Sequence, residues 1–186
     1  MAYSVDQKNA RPGGDAVGRD KITNHIHQYS SSRKIEALME KLAHEIATNE
    51  ETRQQIDTLQ LYFERRSHDG VEGLEAKLEH SGRADCKLDA FAKKELFAKL
   101  LTRYSLYASA QEIFAFMLAR ADTRFRTYVL PRVDELSISE IDALVISDIV
   151  EPIVEEIGFG PFNVNDAIVA GMVYWLAEQC FVRRHK

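Results

Sequence analysis

The sequence predicts an all-α protein: a helical bundle around a buried C-terminal helix, with an N-terminal tail that is turn-like, strand-like or disordered. Three observations carry this. The run Ala167 to Ala177 is uncharged and nearly continuous in apolar residues, and an element apolar on all sides must be surrounded by protein or lipid. From Arg33 onward, apolar residues recur at three- and four-residue intervals, the period of an amphipathic helix. Proline is scarce, at four residues, while Leu, Ala, Glu and Lys, all good helix formers, are plentiful.

Eleven residues are well short of the roughly 20 that a membrane span needs, so the apolar run is expected inside a protein core. The chain has 186 residues, enough for one domain with a real core plus a tail or a small second module. A net charge of −5 argues against a dedicated nucleic-acid binder, because phosphate contacts usually bring a basic excess. Cys86 and Cys180 stand far apart and outside any CxxC context. A disulfide framework is unsupported, and a reducing cytoplasm is the expected location. No apolar signal core or Arg/Ser-rich targeting helix opens the chain.

Residues 1–32 differ from the rest. Pro12, Gly13, Gly14 and Gly18 cluster there, and Gly14-Asp15-Ala16-Val17-Gly18-Arg19-Asp20-Lys21-Ile22 carries turn chemistry. Ile22 to Tyr29 alternates in the manner of a short strand. With no other strand to pair with in this chain, it is expected to stay disordered or to add to a sheet elsewhere. Ser30 to Ser32 read as a linker.

Residues 33–80 form the second segment. Ile35, Leu38, Met39, Leu42 and Ile46 make one narrow stripe, and Ile56, Leu59 and Phe63 a second. Thr48 and Glu51 have capping-box spacing for a fresh helix between them. Narrow stripes suit a helical hairpin or a short coiled-coil association, hence a possible route to a homo-oligomer through residues 33–67. Ser81-Gly82 is the expected boundary before the main bundle, residues 81–186.

In that bundle Phe97, Leu100, Leu101 and Tyr104 mark one helix face, and Ile113, Phe116 and Met117 the next. Leu130-Pro131 ends the run. Ser137 and Glu140 match a capping box, followed by Ile141, Val145 and Ile149 in register. Pro152 should kink this helix near Asp148, whose carbonyl it crowds. Gly158 is a stop, and Asn163 or Asn165 caps the last helix.

Charge is distributed unevenly. Residues 83–132 hold ten Lys/Arg against five Asp/Glu, and residues 133–182 hold ten Asp/Glu and no Lys or Arg. Arg183-Arg184-His185-Lys186 closes the chain. Internal complementarity is the simpler arrangement. The sharper one is a bipolar module whose acidic and basic faces meet different partners. For a nucleic-acid partner, Lys93, Lys94, Arg120, Arg124 and Arg126 would be the phosphate-facing set.

No constellation rises to catalysis. His25 and His27 have a spacing that can hold a metal but lack further ligands nearby. The glycine-aspartate segment lacks the Gly-Lys-Ser/Thr end of a P-loop. Glu151, Glu155 and Glu156 flank an apolar stripe as a solvated face would. Neither an enzymatic activity nor a cofactor or metal is expected.

Two stretches carry a resemblance. Glu151-Pro152-Ile153-Val154-Glu155-Glu156-Ile157-Gly158, Phe162-Asn163-Val164, and Gly171-Met172-Val173-Tyr174-Trp175-Leu176-Ala177-Glu178-Gln179-Cys180-Phe181-Val182-Arg183 together resemble the helical C-terminal domains of ABC-three-component systems. These are bacterial conflict systems of the Lamassu kind. The Gly14 to Ile22 segment is similar to a short glycine-aspartate motif found beside signalling and effector-associated modules in bacterial defence proteins. The resemblance implies an SMC-like ABC ATPase, a small middle component and a third protein in which such a domain usually follows an effector, often a nuclease.

Here no nuclease signature of spaced acids and lysine precedes the domain, and 80 residues with a turn-rich start are too few for one. The resemblance therefore implies an adaptor. Its partner-binding residues would be Asp15, Val17, Asp20 and Ile22 toward an effector, and Glu151, Glu155, Arg183 and Arg184 toward the ATPase. DNA would be met only indirectly, and a membrane not at all.

Overall fold

The computed structural model describes residues 25–52, 54–64, 70–158 and 160–182, with side chains from residue 33 onward. Among these the regular structure is helical: α1 His25–Thr48, α2 Asp57–Gln60, α3 Gly73–His80, α4 Lys87–Tyr104, α5 Ala108–Arg124, α6 Ile138–Val145, α7 Glu151–Ile157 and α8 Asp166–Glu178. A 3₁₀ turn, Leu61–Phe63, continues α2, and another, Ala84–Cys86, leads into α4.

Helix α8 is the inner member. Val169, Met172, Val173, Trp175 and Leu176 are all buried on it. Its closest neighbour is α4, and the reason is Gly171. A Cβ at that position would lie 2.0 Å from the backbone oxygen of Lys93, so only glycine lets the two backbones come this near. Phe97 of α4 is fully buried beside the crossing. Its ring meets Trp175 edge-on at 5.9 Å and Phe114 of α5 at 6.2 Å. Phe162 then stacks on Phe114 at 4.8 Å and contacts Tyr104 at 5.0 Å.

Local chemistry sets the helix starts. Asn165, rather than Asn163, caps α8, its Oδ1 accepting the N–H of Ile168 at 3.1 Å. The Ser137–Glu140 capping box forms at α6. Ile141, Val145 and Ile149 are buried as their register requires. Gly158 ends α7 at φ +63°, a left-handed conformation that costs glycine little.

The proline irregularity takes the form of a π-helical turn over Ile146–Val150, with α7 beginning at Glu151. Pro152 has no N–H to offer the carbonyl of Asp148, four residues back. Arg124 Nε donates to that carbonyl instead. A second π-helical turn, Phe125–Val129, follows α5, and Pro131 sits in the 3₁₀ turn Leu130–Arg132.

Five expectations are corrected. The strand predicted over Ile22 to Tyr29 is helix from His25 on, and the predicted Ser30–Ser32 linker is also within α1. A weak two-residue alternation beside a strong helical run is absorbed into it, because extending a helix costs far less than starting one. Thr48 does not cap a new helix: its hydroxyl donates to His44 O at 2.8 Å inside the last turn of α1. The second stripe lies on the short α2 and its 3₁₀ continuation, not on a long hairpin arm. Finally, Ile35, Met39 and Leu42 are buried in the same core cluster as α5 and α8, so the α1 stripe is covered within the chain.

Candidate docking surfaces

The five basic residues expected to face phosphate all have partners inside the chain. Lys93 pairs with Asp89 at 2.7 Å, and that hydrogen bond holds the Lys93 ammonium above its ordinary pKa. Lys94 lies 3.6 Å from Glu178 and 4.7 Å above the Phe91 ring. Arg120 pairs with Glu156 at 3.2 Å. Arg124 donates to Asp148 O and stacks over Tyr128. Arg126 pairs with Asp122 at 2.8 Å and reaches Phe181 O at 3.3 Å.

Three of these links, from Lys94, Arg120 and Arg126, and a fourth from Arg124, join the basic half to the acidic half or to backbone carbonyls in it. Internal complementarity is what the unequal charge distribution builds. The Arg120–Glu156 contact is enclosed at its polar atoms: Arg120 Nε and both Glu156 carboxylate oxygens are buried without a hydrogen bond of good geometry.

A further set of polar residues is buried or half-buried, and of these the sequence points only to Glu178, as a half-buried structural carboxylate; Glu45, Lys77, Arg83 and Gln111 are not singled out. Glu45, near the end of α1, is buried, and its carboxylate accepts both the N–H and the hydroxyl of Ser109 at 3.1 Å. It thus caps α5, whose own N-cap residue Tyr107 has no side chain able to do so. Glu178 does the same for α3: its Oε2 accepts the N–H of Leu74 at 2.8 Å. In return Lys77 of α3, only 4% exposed, donates to Ala177 O at 2.8 Å and Val182 O at 3.2 Å. An anion at each helix start and a cation at a helix end match the macrodipoles.

Arg83 is buried and holds Asp142 at 3.0 Å and Ile138 O at 3.3 Å, tying the start of α4 to α6. Gln111 accepts from Ile56 N–H at 2.8 Å and donates to Gln54 O and Ser105 O at 3.0 and 2.8 Å. The only sequence signal for such residues is a polar side chain at a core position of a helical stripe. That pattern does not say what the side chain meets.

The acidic candidates behave differently. Glu151 and Glu155 are both exposed on α7. Being four residues apart, they share one face of the helix. Among the described residues, neither has an ion pair or hydrogen bond through its side chain. Ile146, at the start of the π-helical turn that leads into α7, is 52% exposed. Asp15, Val17, Asp20, Ile22, Arg183 and Arg184 lie outside the described residues. Among the described residues no group of three or more His, Cys, Asp or Glu is arranged to hold a metal ion. No helix among them is long and apolar enough to cross a membrane.

Fold and surface define an all-α domain closed by its C-terminal helix, with its basic and acidic halves joined by ion pairs and hydrogen bonds. Residues 73–183 match the family described as C-terminal domain 9 of the ABC-three component (ABC-3C) systems, CTD9. This is well over half of the chain, and the chain belongs to that family. The resemblance, drawn over about residues 135–186, therefore holds, and the matched span reaches further back, to the start of α3. No curated protein and no solved structure matches the chain.

Proposed function

We propose that the chain is a non-enzymatic adaptor of a bacterial antiviral ABC-three-component assembly in the cytoplasm. Its C-terminal domain docks the SMC-like ABC ATPase, and residues 1–32 recruit a separately encoded effector. Family membership supports a role in such a system. The observation that favours docking is the α7 face, where Glu151 and Glu155 are solvent-exposed without a cation partner among the described residues. Two like charges without a partner among the described residues, with the exposed Ile146 in the turn before α7, suit a basic, partly apolar partner surface.

Co-purification of the full chain with the ATPase tests this. The paired substitution Glu151→Lys, Glu155→Lys should weaken retention at least tenfold while leaving the helical circular-dichroism signal unchanged. Deleting residues 1–32 should keep the ATPase and lose the effector. Failure of the unaltered chain to retain the ATPase, or retention indifferent to charge reversal on α7, sinks the proposal.

The competing nucleic-acid reading needs Lys93, Lys94, Arg120, Arg124 and Arg126 to release their present partners. A gel shift whose affinity falls steeply with salt, and weakens in Arg120→Ala and Arg126→Ala, would favour it.

A further inference from the structure

We infer that the outer face of α4 is a two-fold interface on which a second copy of this chain docks antiparallel. The face has an apolar centre. Leu88 is 87% exposed and Leu96 49% exposed, with the exposed Ala92 between them at four-residue intervals. Consecutive intervals of four keep these side chains on one side of the helix. Core burial accounts for none of them, since the buried residues of α4 are Ala90, Phe97, Leu100 and Leu101.

The ends of this face are charged oppositely. Asp85 is exposed in the 3₁₀ turn just before α4, and Lys99 and Arg103 are exposed near its end. The macrodipole favours acids at the start and bases at the end of an isolated helix, but it gives no reason for two exposed leucines between them. A second copy does. In an antiparallel pair centred on Ala92, Leu88 of each copy meets Leu96 of the other. Asp85 meets Lys99, with Arg103 close by. The small alanine at the two-fold axis lets the helices approach.

Such self-complementarity is what an isologous interface requires. Lys99 has an exposed pair with Glu95 at 3.6 Å. A pair of that kind contributes little, so it does not hold Lys99 away from a better partner. This inference does not depend on the ATPase-docking proposal, which concerns α7.

Sedimentation or light scattering of the full chain alone, over a wide concentration range, should show a reversible monomer–dimer equilibrium. Leu88→Glu should shift it at least tenfold toward monomer, with an unchanged melting temperature at concentrations dilute enough that both proteins are monomeric, because the side chain is exposed. Asp85→Lys and Lys99→Asp should each weaken the dimer several-fold, and the double substitution should restore it. A chain that stays monomeric throughout overturns the inference. So does a dimer indifferent to Leu88→Glu, or a charge pair without rescue. A monomer that loses ATPase retention on Leu88→Glu gives the face to a different protein and also overturns it.

Discussion

Gly171 of α8 lies against the backbone of Lys93 in α4, so closely that an added Cβ would stand 2.0 Å from the Lys93 oxygen and 2.6 Å from its carbonyl carbon. Both are backbone atoms and cannot swing aside. Gly171→Ala must therefore separate the two helices. A loss of about 3 kcal/mol or more is expected, at the upper end of overpacking costs. That corresponds to a melting temperature lower by roughly 6–12 °C for a chain of this size, readable by calorimetry.

Glu178 joins three elements, accepting from Leu74 N–H and lying beside Lys94. Glu178→Ala should cost about 2 kcal/mol, because a helix-start N–H loses its charged acceptor. Hydrogen exchange at the Leu74 amide should accelerate far more than at Val173, in the middle of α8. Equal acceleration at both would mean that Glu178 acts only through global stability.

Gln111 holds the connection ahead of α2 through three hydrogen bonds. Gln111→Met keeps much of the volume and removes all three. It should destabilise by about 2–4 kcal/mol and open the connection between α1 and α2 to limited proteolysis before the rest of the domain. Cleavage appearing first elsewhere would contradict this.

The Arg124 bond to Asp148 O compensates for the missing N–H of Pro152. Arg124→Met should cost about 1–2 kcal/mol. In a Pro152→Ala background, a backbone N–H is available again and the same substitution should cost about 1 kcal/mol less. Strict additivity in this double-mutant cycle would show that the two positions are independent.

Ser137 holds the Glu140 carboxyl below the ordinary carboxylate range, chiefly through its hydroxyl and then through its backbone N–H. A folded-state value below the unfolded one stabilises above the unfolded pKa. That contribution is lost as pH falls through the folded value. Ser137→Ala should therefore raise the Glu140 titration midpoint, followed by NMR, and shrink the acid-side loss of stability. An unchanged midpoint would leave the capping box without this role.

Much of the bundle is legible in the sequence, for local reasons. The Ser137–Glu140 box and the Asn165 cap act within three residues. Pro152 disturbs its own helix near Asp148, and Gly158 stops it. The failures also have a cause. Alternation at Ile22 to Tyr29 could not be weighed against the helix growing from α1. The Thr48–Glu51 spacing fits a cap only if a helix follows. The stripe of Ile35, Met39 and Leu42 looked too narrow for a core because the faces it meets, on α5 and α7, lie far along the chain. For the candidate site, the exposure of Glu151 and Glu155 followed from the helical period, but the occupation of Lys93, Lys94, Arg120, Arg124 and Arg126 did not.

By itself the sequence determined the helical class, the interior position of the last helix and most helix ends, because periodicity, capping and proline chemistry operate over a few residues. Tertiary structure alone decided where each charge goes. Glu45 reaches Ser109, Glu178 reaches Leu74 and Lys77 reaches Ala177 across separations of many tens of residues. Such pairings depend on which helix ends the packing brings together.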